Sequence, residues 1–169
     1  MKHVFNQGLF ILAGILMLSN CSNKMQGRST SEIEANRQQN ELACRSMLEK
    51  HLDAVSNKDL ATLKTTLVPE GDFYFVMPQS IIRTKVEDFI KEHEAWFKDK
   101  SWSFETRILS LSVGSEVAFA VVEIVYREPE RNGAPYFNRM AVSYGMKKIK
   151  GRWYVAKDHA CSLDKTKPK

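Results

Sequence analysis

The stretch Trp102-Ser-Phe-Glu-Thr-Arg-Ile-Leu-Ser-Leu-Ser-Val113 sets the class of fold. Trp102, Phe104, Thr106 and Ile108 alternate with polar neighbours, the period of a strand with one buried face. The phase then slips by one residue to Leu109, Leu111 and Val113, the mark of a β-bulge, which bends its strand and tightens its twist. Gly114-Ser115 turns the chain. Val117, Phe119 and Val121 alternate next, before a second phase shift to Val122, Ile124 and Tyr126. The loop 128–135 contains Asn132-Gly133, a pair suited to a tight hairpin. A long strand over 136–149 follows, alternating through Asn138, Met140, Val142, Tyr144 and Met146. It turns at Lys150-Gly151 into a closing strand at 153–161. Arg139, in phase opposite to Met140, is expected on the outer face or across a dimer interface.

Upstream the period changes from two to 3.6. Cys44, Met47, Leu48, Leu52 and Val55 form a helical stripe over 40–55. Asn57 is placed to cap a short second helix carrying Leu60, Leu63 and Leu67. A turn at 69–72 leads into the aromatic, β-prone run 73–77, closed by Pro78. Thr84-Lys85-Val86-Glu87 has a capping-box pattern and opens a third helix, with Val86, Phe89, Ile90, His93 and Trp96 or Phe97 on its apolar face. Helices followed by long bulged antiparallel strands predict an α+β domain, with three N-terminal helices packed on a strongly curved antiparallel sheet. Bulged strands should wrap that sheet into a cone around a cavity.

The order of these pieces resembles the nuclear transport factor 2-like superfamily, in particular its bacterial SnoaL-like branch. The resemblance rests on the helix–turn–helix opening at 51–63 and on the aromatic strand ending at Pro78 with Ile82-Arg83-Thr84 after it. It rests further on the bulged hairpin at 102–127 and on the terminal Gly151-Arg-Trp-Tyr-Val-Ala-Lys-Asp-His159. It implies a cone-shaped domain over 40–163. Members of the superfamily include isomerases, cyclases, dehydratases and proteins that only bind, so the function must be argued from the site. The resemblance implies that a ketosteroid isomerase base would lie just before the strand-ending proline. That position holds Met77, which cannot accept a proton, and Asp72 comes several residues too early.

The N-terminal residues carry a different message. Lys2 and His3 precede an apolar run over 9–18, the length of a signal-peptide core and too short to span a bilayer as a helix. Leu18-Ser19-Asn20-Cys21 resembles the lipobox of bacterial lipoproteins, although Asn20 departs from the usual Gly, Ala or Ser. The resemblance implies removal of residues 1–20, lipidation of Cys21 with palmitate-type acyl chains, and anchorage in the cell envelope, at the outer membrane in a Gram-negative cell. Residues 21–39 are polar without apolar periodicity and are expected to form a flexible tether. Residues 164–169 form a basic tail. The net charge of +5 is spread along the chain, so no nucleic-acid footprint is expected. In an exported protein Cys44 and Cys161 are either bridged or two separate thiols.

Several residues are candidates for chemistry or binding. His159, Asp72 and Tyr74 are the candidate acid–base groups. Strict alternation puts His159 on the face of Trp153, Val155 and Lys157, with Asp158 on the opposite face. Tyr74, His93, Trp96, Phe119, Met140, Tyr144 and His159 are the candidate pocket lining. The histidines lack the spacing of a metal motif, so neither metal nor cofactor is expected. The first reading is a lipid-anchored module that holds a small apolar or amphipathic ligand without catalysis, and the resemblance implies a homodimer, since open sheets of this superfamily often pair. The alternatives are a cyclase-, dehydratase- or hydrolase-type enzyme using His159, and an envelope assembly factor using the sheet face.

Overall fold

The computed structural model describes residues 29–79 and 81–167. Cys21, the leader and the first part of the expected tether lie outside the described residues. Helix α1 (Thr30–Ser56) opens on a true capping box. Ser29 Oγ accepts from the Glu32 amide at 3.2 Å, and the Glu32 carboxylate accepts from the Ser29 amide at 2.9 Å. The tether expected to continue to residue 39 is therefore helical from Thr30, with its polar residues exposed on all sides. The cap and the Glu34–Arg37 ion pair supply locally what the stretch lacks in apolar periodicity. Farther on, Cys44, Leu48, His51, Leu52 and Val55 are buried on one stripe, as the 3.6 period requires.

Asn57 ends α1 and does not begin α2 (Leu60–Thr66). Its amide bonds back to the Asp53 carbonyl at 2.8 Å, and Asp59 caps α2 by accepting from the Thr62 amide at 3.0 Å. Lys58 bridges the two helices in the left-handed region, at φ 56°. After β1 (Tyr74–Val76) and β2 (Ile82–Arg83), helix α3 (Val86–Trp96) starts without the expected capping box. Lys85 occupies the cap position and makes no side-chain bond there. The Arg83–Glu92 ion pair, 2.5 Å, ties β2 to α3 instead.

Strands β3 (Ser103–Val113), β4 (Val117–Arg131), β5 (Ala134–Ile149) and β6 (Arg152–Lys165) complete one six-stranded sheet in the order β2-β1-β6-β5-β4-β3. All neighbours are antiparallel except β1 with β6. The β3 bulge falls where the phase slips: Ile108 pairs with Val122 and Ser110 with Val121, leaving Leu109 over. Both long hairpins close on two-residue turns with positive φ at each position, Asn132-Gly133 and Lys150-Gly151, as type I′ turns demand. Strand β6 runs to Lys165, and Thr166 bonds Phe137 through both its amide and its hydroxyl, so the expected tail is shortened from its start.

Two strands depart from the expected phase. On β4 the alternation is unbroken, with Ala118, Ala120, Val122 and Ile124 buried and Phe119 exposed. One phase therefore holds through β4, and Phe119 falls on its outer face. On β6, Gly145 pairs with Lys157 but Met146 pairs with Val155, so Ala156 is an extra residue. Val155 and Ala156 are consecutively buried, and every side chain after them changes face. The core thus lies between the helices and the concave face of the sheet. Leu48, Leu63, Ala120, Val122, Val142 and Val155 are fully buried or nearly so. Each aliphatic side chain larger than alanine contributes roughly 1.5–3 kcal/mol by leaving water.

Candidate functional site

The bent strands and α3 enclose a cavity of about 340 Å3. Its buried end is formed by Val55, Ile124, Val142, Tyr144 and Asp158, and its exposed lining residues are Gln79 and Arg131. Aromatic side chains make the wall. Trp96 lies flat against Trp102 with ring centres 4.1 Å apart, and Phe104 and Tyr126 meet Trp96 at 5.9 and 5.7 Å. An apolar wall with a few placed polar groups is the usual form of a small-molecule site.

The polar groups come from four elements. Helix α3 supplies His93, packed on Phe89 with ring centres 3.8 Å apart. Its Nδ1 lies 2.9 Å from the Phe89 carbonyl, which can only accept, so Nδ1 carries the proton and Nε2 is a bare acceptor. Burial pushes the His93 pKa down to about 4, so the ring is neutral at physiological pH. Helix α3 also supplies Glu92, whose Oε2 has no hydrogen-bond partner among the described residues. Strand β5 supplies Asn138 and Tyr144, and β6 supplies Asp158, directly opposite Tyr144 in the register. Burial pushes the Asp158 carboxyl up to about 7, and hydrogen bonding to Tyr144 pulls part of the way back. Burial, and then the Asp158 charge, hold the Tyr144 hydroxyl well above its ordinary value. Near the exposed end, Arg131 is bound to Glu128 and lies 3.5 Å over the Tyr136 ring, while Tyr126 donates to the same carboxylate.

The structure divides the residues singled out from the sequence. His93, Trp96, Met140 and Tyr144 line the cavity together. Tyr74 does not: it is exposed on the outer face of β1, with the Lys157 ammonium 5.1 Å from its ring, while Phe73 and Phe75 point inward. Phe119 is exposed for the phase reason given above. Asp72 is exposed in the turn before β1. His159 is exposed because the extra residue Ala156 reverses the faces of β6, which brings Asp158 inward in its place. His159 therefore cannot act within the cavity. The signal for Asp158 was present in the sequence as the apolar doublet Val155-Ala156, the same kind of slip that marked Leu109.

The two cysteines are separate thiols. Cys44 points into the core, 3.6 Å from the Met146 sulfur, whereas Cys161 is exposed on β6, so the bridge considered above does not form. Burial raises the Cys44 thiol to about 11. Arg139 faces outward and reaches Glu123 at 3.4 Å. No three His, Cys, Asp or Glu side chains among the described residues are grouped to hold a metal ion.

Residues 44–164 match the family model described as the SnoaL-like domain. No curated protein matches the chain. Among solved structures, a conserved protein from Planctomyces limnophilus aligns at 18% identity over 75% of this chain and 100% of its own, with a TM-score of 0.64. An NTF2-like family protein from Streptomyces avermitilis, provisionally assigned as a dehydratase, aligns at 10% identity over 76% and 99%, with a TM-score of 0.65. A ketosteroid isomerase-like protein from Erwinia carotovora atroseptica aligns at 12% identity over 73% and 96%, with a TM-score of 0.61. At these identities the likeness is one of fold.

Proposed function

The chain belongs to the SnoaL-like domain family, and on that premise we propose that it binds a small, largely apolar ligand in its cone, at the surface of a membrane to which lipid on Cys21 anchors it. The observation that carries the binding reading is the cavity of about 340 Å3, walled by aromatic rings and ended by the buried pair Tyr144 and Asp158. Apolar walls supply affinity by releasing water, and a few polar groups orient what is bound. Native mass spectrometry of the full chain in lipid nanodiscs tests it directly. A retained small molecule, lost when Ala160→Phe fills the cavity, is the expected result. An empty wild-type chain whose tryptophan fluorescence responds to no apolar probe would count against it.

The envelope part of the proposal rests on the apolar run at 9–18 and on Leu18-Ser19-Asn20-Cys21. Cells fed labelled palmitate should label the wild-type chain and not a Cys21→Ser variant, which should also leave the membrane fraction. A second copy of the chain is proposed to cover the outer sheet face, where Leu109, Val117, Phe119 and Leu163 are exposed. Analytical ultracentrifugation of the wild type and of Phe119→Glu tests this: the wild type should sediment as a dimer and the variant as a monomer.

One observation favours a second reading, proton-transfer catalysis in the same cavity. Asp158 has its pKa near 7 and faces Tyr144, a carboxyl able to give or take a proton at neutral pH. An activity abolished by Asp158→Asn and untouched by His159→Ala would establish it. Binding with no turnover across a panel of cyclase and dehydratase substrates would leave binding as the function.

A further inference from the structure

We propose that the ligand of this cavity carries a protonated amine on an apolar body. This rests on the reading of the cavity as a binding site and names the chemistry it selects. The argument is a count of donors against acceptors among the polar groups that line it. His93 has given its one proton to the Phe89 carbonyl, and its Nε2 presents a lone pair. Glu92 Oε1 is taken by Arg83, while Oε2 has no partner among the described residues. Asp158 Oδ1 is buried and likewise without a partner among them. These three groups lie on α3 and β6 and line one cavity. At pH 8 no rotation turns any of them into a donor: the Phe89 bond fixes the His93 ring, and both carboxylates only accept.

The donors nearby are fewer. Tyr144 faces Asp158 across the β5–β6 register, and Asn138 brings one amide NH2 together with an Oδ1 that has no partner among the described residues. The Arg131 guanidinium is bound by Glu128, which also takes the Tyr126 hydroxyl. The site therefore has acceptors to fill and few donors to offer. A carboxylate or phosphate entering it would meet lone pairs, at a high desolvation cost. An ammonium group would bring up to three donors and a positive charge. The rings of Trp96, Tyr126 and Phe104 in the lining would also attract that charge.

The charge state of the site sets a pH dependence. From α1, His51 is neutral, with its pKa near 3, and His93 on α3 is neutral above about 4. Glu92 is paired with Arg83, and Arg131 with Glu128. Tyr144 stays protonated. Between pH 6 and 8 the one group left to change is Asp158. Amine affinity should rise several-fold between pH 6 and 8, as Asp158 gives up its proton, and then level off.

The test compares 4-phenylbutylamine, 4-phenylbutan-1-ol and 4-phenylbutanoate by calorimetry at pH 8, with the full chain in nanodiscs and empty nanodiscs as the blank. The amine should bind about tenfold more tightly than the alcohol and about a hundredfold more tightly than the carboxylate. Asp158→Asn should reduce the amine's advantage over the alcohol to below about threefold, and His93→Phe, which keeps the stacking on Phe89, should reduce it in part. Tightest binding by the carboxylate, abolished by Ala160→Phe, would overturn the amine assignment and leave the cavity reading standing. An amine preference unchanged in both Asp158→Asn and His93→Phe would also overturn it. If none of the three probes binds, the cavity reading falls together with this one.

Discussion

The Thr66 hydroxyl lies 2.8 Å from Nδ1 of His51 and donates its own proton to the Leu63 carbonyl at 2.7 Å, so the imidazole must be the donor between them. His51 is thereby fixed as the Nδ1–H tautomer. Its Nε2 is a buried acceptor with no partner among the described residues. Protonating that ring would place a charge in the core beneath Tyr144, whose ring centre is 5.6 Å away.

This arrangement predicts acid sensitivity. Burial lowers the pKa of His51 to about 3 and that of His93 to about 4, from an ordinary 6.5. Below pH 6.5 the unfolded chain takes up protons that the folded chain refuses. Stability therefore falls as the pH drops from about 6.5 toward 4 and flattens below about 3. Urea midpoints measured at each pH should show this limb, and His93→Phe should make it shallower.

Asp158 works in the opposite direction. Its folded pKa of about 7 stands above the ordinary 3.8, so the folded chain keeps a proton that the unfolded chain releases. Its contribution to stability is full below about pH 4, declines as the pH rises to about 7, and stays low above that. Asp158→Asn should match the wild type at pH 5 and exceed it by about 1–3 kcal/mol at pH 8. Thermal denaturation at the two pH values checks this.

The inward face of β4 can be tested by a pair of substitutions. Ala120 is fully buried and Phe119 is half exposed on the other side. Ala120→Leu should cost about 1–3 kcal/mol by overpacking. Phe119→Ser should stay within about 0.5 kcal/mol when measured on the monomer. The reverse ranking would mean that the strand faces the other way.

Gly151 sits at φ 82° with open space where a Cβ would be. Gly151→Ala therefore has no clash to relieve and should cost only the backbone term, about 1–2 kcal/mol, in a denaturant titration.

The separate thiols predict a labelling pattern. Cys161 should react with a maleimide in the folded protein, and Cys44 only after unfolding. A reductant should leave the melting temperature unchanged.

Much of the fold could be read from the sequence, because its signals were local. The Leu109 slip, the Asn132-Gly133 turn and the α3 face from Val86 to Phe97 each rest on a few neighbouring residues. His93, Trp96, Met140 and Tyr144 were read as cavity residues because they sit on elements whose phase was read correctly. The departures are matters of phase. Phe119 is expected inside on a phase shift that β4 does not make, since Ala118, Ala120, Val122 and Ile124 keep one register of burial. His159 is expected inside when alternation runs unbroken past Ala156, and Tyr74 because the all-aromatic and aliphatic run 73–77 carries no polar alternation to show that Phe73 and Phe75 take the inner face. The start of α1 was missed because capping and ion pairing, not apolar period, hold it.

Ala156 also separates two properties that usually change together. Pairings on both sides of it are regular, Met146 with Val155 and Gly145 with Lys157, and Gly145 leaves only 3.1 Å between an added Cβ and the Lys157 side chain. Deleting Ala156 would join those pairings without exchanging Asp158 for His159, since the residues on either side already have the faces that a regular strand would give them. What would be lost is the bend. A one-codon deletion therefore alters the shape of the chamber while keeping its chemical inventory, a route by which related chains could retune which molecules fit without touching the groups that hold them.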